Sequence, residues 1–73
     1  MTNIHKYLEK NRLQLKDVVI GMFAFGKTAM DSVCEEALNE DKLIEFYVAS
    51  EDELVMDKLS YRLISREEKP GKN

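Results

Sequence analysis

The stretch Val18–Met30, VVIGMFAFGKTAM, decides how the chain is read. From Gly21 to Thr28 it spells glycine, four residues, then Gly26, Lys27 and Thr28, the spacing of a phosphate-binding loop. In such a loop, glycines let main-chain N–H groups wrap a phosphate, the lysine reaches the outer oxygens and the threonine hydroxyl holds magnesium. Gly21, Gly26, Lys27 and Thr28 would take those roles, giving a small nucleotide-binding module. Against this stand Met22, Phe23, Ala24 and Phe25, which a solvated loop would expose although two phenylalanines prefer a core. Nucleotide-binding folds of this class also need a doubly wound parallel sheet, which a 73-residue chain cannot build. The simpler expectation is a strand over 17–25, buried on both faces or bulged at Gly21, that ends at Gly26. A helix from Val18 is the rival reading, opposed by its glycine and β-branched pair.

On the C-terminal side, Met30, Val33, Cys34, Ala37 and Leu38 recur at helical spacing. Thr28 and Asp31 resemble a capping box, so a helix over Thr28–Asn39 ending near Glu40 to Lys42 is the firmest element. KLIEFYVAS (42–50), the polar turn EDEL (51–54) and LVMDKLSYRLIS (54–65) then read as an antiparallel hairpin. On the N-terminal side, Thr2 or Asn3 can cap a short helix through Asn11 that gathers Ile4, Tyr7 and Leu8 on one face. RLQLK (12–16) alternates with period two and reads as a half-buried strand. The expected fold is therefore α+β, a small single domain over 1–65: N-terminal helix, strand, helix, antiparallel β-hairpin. The tail 66–73, REEKPGKN, has no apolar anchor and is expected to be disordered.

Size and composition bound the function. A chain of this length buries only about 60% of the surface its unfolded form exposes. Its core then supplies at most ~3–5 kcal/mol without disulfides, metal or self-association. One cysteine makes no internal disulfide, and one histidine offers no Cys/His cluster for zinc, so neither metal nor cofactor is expected. A homodimer or a protein complex is the expected support. The longest apolar run is too short to span a membrane, and MTNIHKYLEK lacks the apolar core of a signal peptide. A cytoplasmic protein with a reduced thiol is expected.

Charge is unevenly placed although the net value is only −3. Up to Lys27 the chain is basic; from Thr28 to Asp57 ten acids face Lys42 alone. Phosphate backbones are repelled by that half, which makes direct nucleic-acid binding unfavourable. A winged-helix regulator, with the Thr28 helix in the major groove, would need Lys or Arg where Asp31, Glu35 and Glu36 stand. The acidic surface suits a basic protein partner instead, with Asp31, Glu35, Glu51, Asp52 and Glu53 as candidate contacts. No catalytic residue emerges. Cys34 lies on an apolar helix face beside Glu35 and Glu36, the wrong setting for a reactive thiolate, and His5 has no metal-binding or base-orienting neighbour.

Val33, Cys34, Glu35, Leu38, Phe46, Asp57, Tyr61 and Ile64, within VCEEALNEDKLIEF and ELVMDKLSYRLIS, carry a resemblance to the YopT-type short proteins of SPbeta-type prophages. The resemblance implies a phage accessory protein with the same strand, helix and hairpin order, and transfers no catalytic residue. The start, MTNI then LEK, a strand, an acidic helix and strands, is similar in order to the phage uracil-DNA glycosylase inhibitors, which are acidic DNA mimics. Their Glu-Ser-Ile edge motif would fall near Asp17, Val18 and Val19, which lack the serine. What this implies is mimicry as a class of mechanism and not that particular activity; the function expected is a non-enzymatic accessory protein that binds and inhibits a host or phage protein through its acidic surface.

Overall fold

The computed structural model describes residues 2–49 and 58–67. They form one small α+β domain: α1 (Asn3–Asn11), a single 3₁₀ turn (Leu15–Asp17), α2 (Val19–Phe25), α3 (Lys27–Glu40), β1 (Leu43–Ala49) and β2 (Lys58–Ile64). The expected turn at 51–54, and with it Glu51, Asp52 and Glu53, lies outside the described residues, as does the tail from 68 onward.

α3 is the central element, packed against α1, α2 and β1. Met30, Val33, Cys34 and Ala37 form its buried stripe. Ile4, Tyr7 and Leu8 of α1 meet that stripe, and Leu43, Ile44 and Ile64 of the hairpin close the core. Thr2 caps α1 as expected, its hydroxyl oxygen accepting the His5 N–H at 3.2 Å. The two longer helices end alike. Arg12 and Asp41 sit in the left-handed region, with φ of 57° at each. The N–H groups that follow fold back onto the last turn, Leu13 to the Leu8 carbonyl at 2.8 Å and Lys42 to the Ala37 carbonyl at 2.9 Å.

β1 and β2 pair antiparallel in the register Leu43↔Ile64 through Ala49↔Lys58, the hairpin expected from its alternation. Phe46 and Tyr61 face each other across it, and Phe25 of α2 completes an aromatic trio, with ring centroids 6.4 Å from Phe46 and 6.0 Å from Tyr61.

Two expected strands are corrected. RLQLK is the end cap of α1 followed by the 3₁₀ turn, where the Asp17 carboxylate accepts the Gln14 N–H at 2.8 Å. The run 17–25 contains α2. Val18 and Gly21 are buried and Met22 and Phe25 pack on the core, a spacing of three, one and three residues that belongs to a helix. Gly21 favours this packing. A Cβ there would fall on Met30 Sδ and lie 2.7 and 2.8 Å from Phe46 ring atoms, so only glycine lets the α2 backbone approach α3 and β1 this closely. The expected Thr28–Asp31 capping box is also corrected. Gly26, with φ of 95°, occupies the N-cap of α3, no side chain caps it, and Thr28 is exposed.

Candidate functional site

Because the core takes Val18, Gly21, Met22 and Phe25, the other side of α2 is turned to solvent. It too is apolar. Phe23 is 87% exposed and Ile20 50% exposed, one helical step of three apart, and Leu15 in the preceding 3₁₀ turn is 53% exposed. Lys16 and Lys27 lie exposed at either end of this segment, neither in an ion pair among the described residues. These three side chains are the exposed large apolar groups of the helical half among the described residues. Sequence reading missed these residues because assigning 17–25 to a buried strand places every apolar side chain inside. The signal was present: read as a helix, the run is apolar on all sides, and one small domain cannot cover all of them.

The residues of the phosphate-loop match do not form a loop. Gly21 is buried inside α2, Gly26 is the break between α2 and α3, and Lys27 and Thr28 are exposed in the first turn of α3. Two main-chain N–H groups of the match are bonded along α2 instead, Met22 N–H on the Val18 carbonyl at 3.1 Å and Gly26 N–H on the Met22 carbonyl at 3.0 Å.

Among the acidic candidates, Asp31 has structural work. Its carboxylate accepts the Ile4 N–H at 3.0 Å and the Asn3 amide at 3.1 Å, so an α3 side chain caps the first turn of α1. Glu35 is exposed on the outer face of α3. Glu36 is exposed beside it and accepts the Tyr61 hydroxyl at 3.3 Å. Asp41 anchors Lys10 at 2.9 Å and Arg66 at 3.0 Å, and these two cations hold its carboxyl below the usual range. It thereby ties the ends of α1 and α3 to the residues after β2.

Cys34 is fully buried, and burial, with the Asp31 charge second, pushes its thiol up to about 12. It holds its proton and behaves as a core residue. Tyr7 is buried too, and burial raises its hydroxyl above the usual 10.0. That hydroxyl accepts the Ile44 N–H at 2.9 Å. His5 is exposed on α1. Among the described residues no group of three or more His, Cys, Asp or Glu gathers in a metal-binding arrangement.

A cleft of about 780 Å³ opens between α1 and β1, lined by Tyr7, Asn11, Leu13, Val18, Ile44 and Arg66 among others. The Asn11 side chain donates to the Tyr7 carbonyl at 2.8 Å, and its Oδ1 is buried without a partner among the described residues.

No helix among the described residues is long and apolar enough to cross a membrane. No family model matches the chain, and no curated protein or solved structure is significantly similar to it.

Proposed function

We propose that the protein is a non-enzymatic binding module, an accessory protein of the kind the prophage resemblance implies, that docks on another protein and modulates it. The observation that carries this reading is Phe23 at 87% exposure, with exposed Ile20 three residues before it on α2 and exposed Leu15 in the preceding 3₁₀ turn. Leaving an aromatic ring of this size in water forgoes about 1.5–3 kcal/mol that an apolar pocket on a partner would return.

The contact moves from the acidic residues toward α2. Asp31 is committed to capping α1, so Glu35 is the acidic candidate left facing solvent among the described residues. The acidic half then serves to steer a basic partner, while α2 supplies the contact area.

The test is a photo-reactive amino acid placed at position 23 or at position 35 of the full chain, irradiated in host cytosol. Adducts at 23 that disappear with Ile20→Asp are expected. Adducts at 35 alone would return the contact to the acidic face, and adducts at neither position would end the reading.

A further inference from the structure

The free edge of β1 offers a second surface, separate from α2. In an antiparallel pair, each residue points its N–H and C=O together, either toward its partner strand or away from it. The Ile44 N–H goes to the Tyr7 hydroxyl, so it points away from β2. Phe46 and Val48, two and four residues on, point the same way. None of the described residues bonds their outward N–H groups. Edges of this kind are normally guarded by charge or proline. Phe46–Ala49 reads FYVA and has neither, whereas β2 carries exposed Lys58 and Arg62. Val48 is 61% and Tyr47 41% exposed on this bare segment.

We infer that a second copy of this chain pairs on that edge, β1 against β1 about a twofold axis at Tyr47, giving a four-stranded sheet across two protomers. The register is self-consistent. With Tyr47 opposite its symmetry mate, Phe46 faces Val48 of the other copy, and both present the outward N–H and C=O groups that antiparallel bonding needs. On the core-side face, exposed Val48 is covered by a phenylalanine. On the outer face, Glu45 lies opposite the small Ala49 of the other copy, whose own β2 partner is Lys58. Two strand spacings, about 9.6 Å, separate Glu45 from that lysine, and long side chains span this across an alanine. Glu45 already pairs with Arg62 of its own hairpin, so the row alternates in sign and no like charges meet. The Tyr7 hydroxyl occupies the edge at Ile44, so the main-chain pairing runs over Phe46–Val48 of each copy. A two-stranded sheet is marginal by itself, and the pairing supplies the extra strands a domain this small lacks.

The experiment uses the full chain. Sedimentation at micromolar concentration is expected to show a dimer, and Tyr47→Cys is expected to oxidise to a cross-linked dimer while Ala49→Cys does not. Residues opposite at a non-hydrogen-bonded site bring Cα atoms to about 4.5 Å, within disulfide reach, and buried Cys34 does not compete. Val48→Pro removes an outward N–H from each copy and no β2 bond, so self-association is expected to weaken about 30-fold. Val48→Lys, with its fold checked by circular dichroism, is the second variant in case proline perturbs the hairpin. A monomer at all concentrations overturns the inference. So does a dimer indifferent to both Val48 variants, or one that cross-links through Phe23→Cys and not Tyr47→Cys.

Discussion

Asp31 of α3 accepts the Ile4 N–H of α1 at 3.0 Å, a bond between residues 27 apart in sequence that satisfies one of the unpaired donors at the start of α1. The same carboxylate holds the Asn3 amide, so one acid fixes how the two helices meet. Asp31→Ala is expected to cost about 1–2 kcal/mol, the range of a lost cap with a charged acceptor. Asp31→Asn keeps an acceptor for Ile4 and should fall between. Urea denaturation checks both, and an unchanged midpoint for Asp31→Ala would mean the bond contributes nothing.

The glycines of the phosphate-loop match predict a pattern that a nucleotide site would not. Gly21→Ala should destabilise by about 1–3 kcal/mol through overpacking against Met30 and Phe46, outweighing the helix propensity gained. Gly26→Ala meets nothing within 4 Å, yet its φ of 95° disfavours any side chain, with a cost of about 1–3 kcal/mol. Lys27→Ala should change stability by less than about 0.5 kcal/mol. Thermal unfolding of the three variants gives the test, with ATP titration alongside. A parent affinity for ATP lost in Lys27→Ala would restore the loop reading.

Arg12 is a non-glycine residue in the left-handed region at the end of α1, where no hydrogen bond or ion pair of its side chain is formed among the described residues. Relieving that conformation should outweigh the added freedom of the unfolded chain, so Arg12→Gly is expected to stabilise by about 0.5–1 kcal/mol. For a domain of this size that is a rise of about 2–8 °C in Tm. A fall in Tm would show that the arginine makes a contribution its geometry does not reveal.

The helix of Met30, Val33, Cys34 and Ala37 and the hairpin were legible because their apolar residues alternate with charge at one clear period. α2 was not, because Ile20, Phe23 and Ala24 on its outer side are as apolar as Val18, Met22 and Phe25 on its inner side, which erases the helical period. The same fact makes α2 the candidate site. Where sequence logic misassigned the element, it did so by assuming that apolar side chains must be buried. Asp31 was misread for a related reason. Three residues after Thr28, it looked like the partner in a local cap, and nothing in the sequence points to Ile4 across the core.

Among the described residues, the Tyr7 hydroxyl makes the hydrogen bond that links α1 to the free edge of β1. Tyr7→Phe keeps the packing and leaves the buried Ile44 N–H without its acceptor, an expected loss of about 1–3 kcal/mol. Hydrogen exchange should localise the effect, with the Ile44 amide losing protection more than its neighbours in β1. Uniform loss along the strand would indicate general loosening instead.

Cys34 makes the stability depend on alkaline pH. Its folded thiol titrates at about 12 against a usual 9.0, so above pH 9 the unfolded chain releases a proton that the folded chain retains. The unfolded state then binds fewer protons, and stability falls as pH rises, by up to about 1.4 kcal/mol per unit until the folded thiol itself ionises. Tyr7, also raised, adds to the fall above pH 10. Cys34→Ala should therefore be less stable than the parent at neutral pH, by about 1 kcal/mol for the small cavity, yet lose stability less steeply between pH 9 and 10. Urea midpoints measured across that window give the two slopes. Parallel curves would mean that the thiol reaches water without unfolding, which would reopen Cys34 as a reactive group.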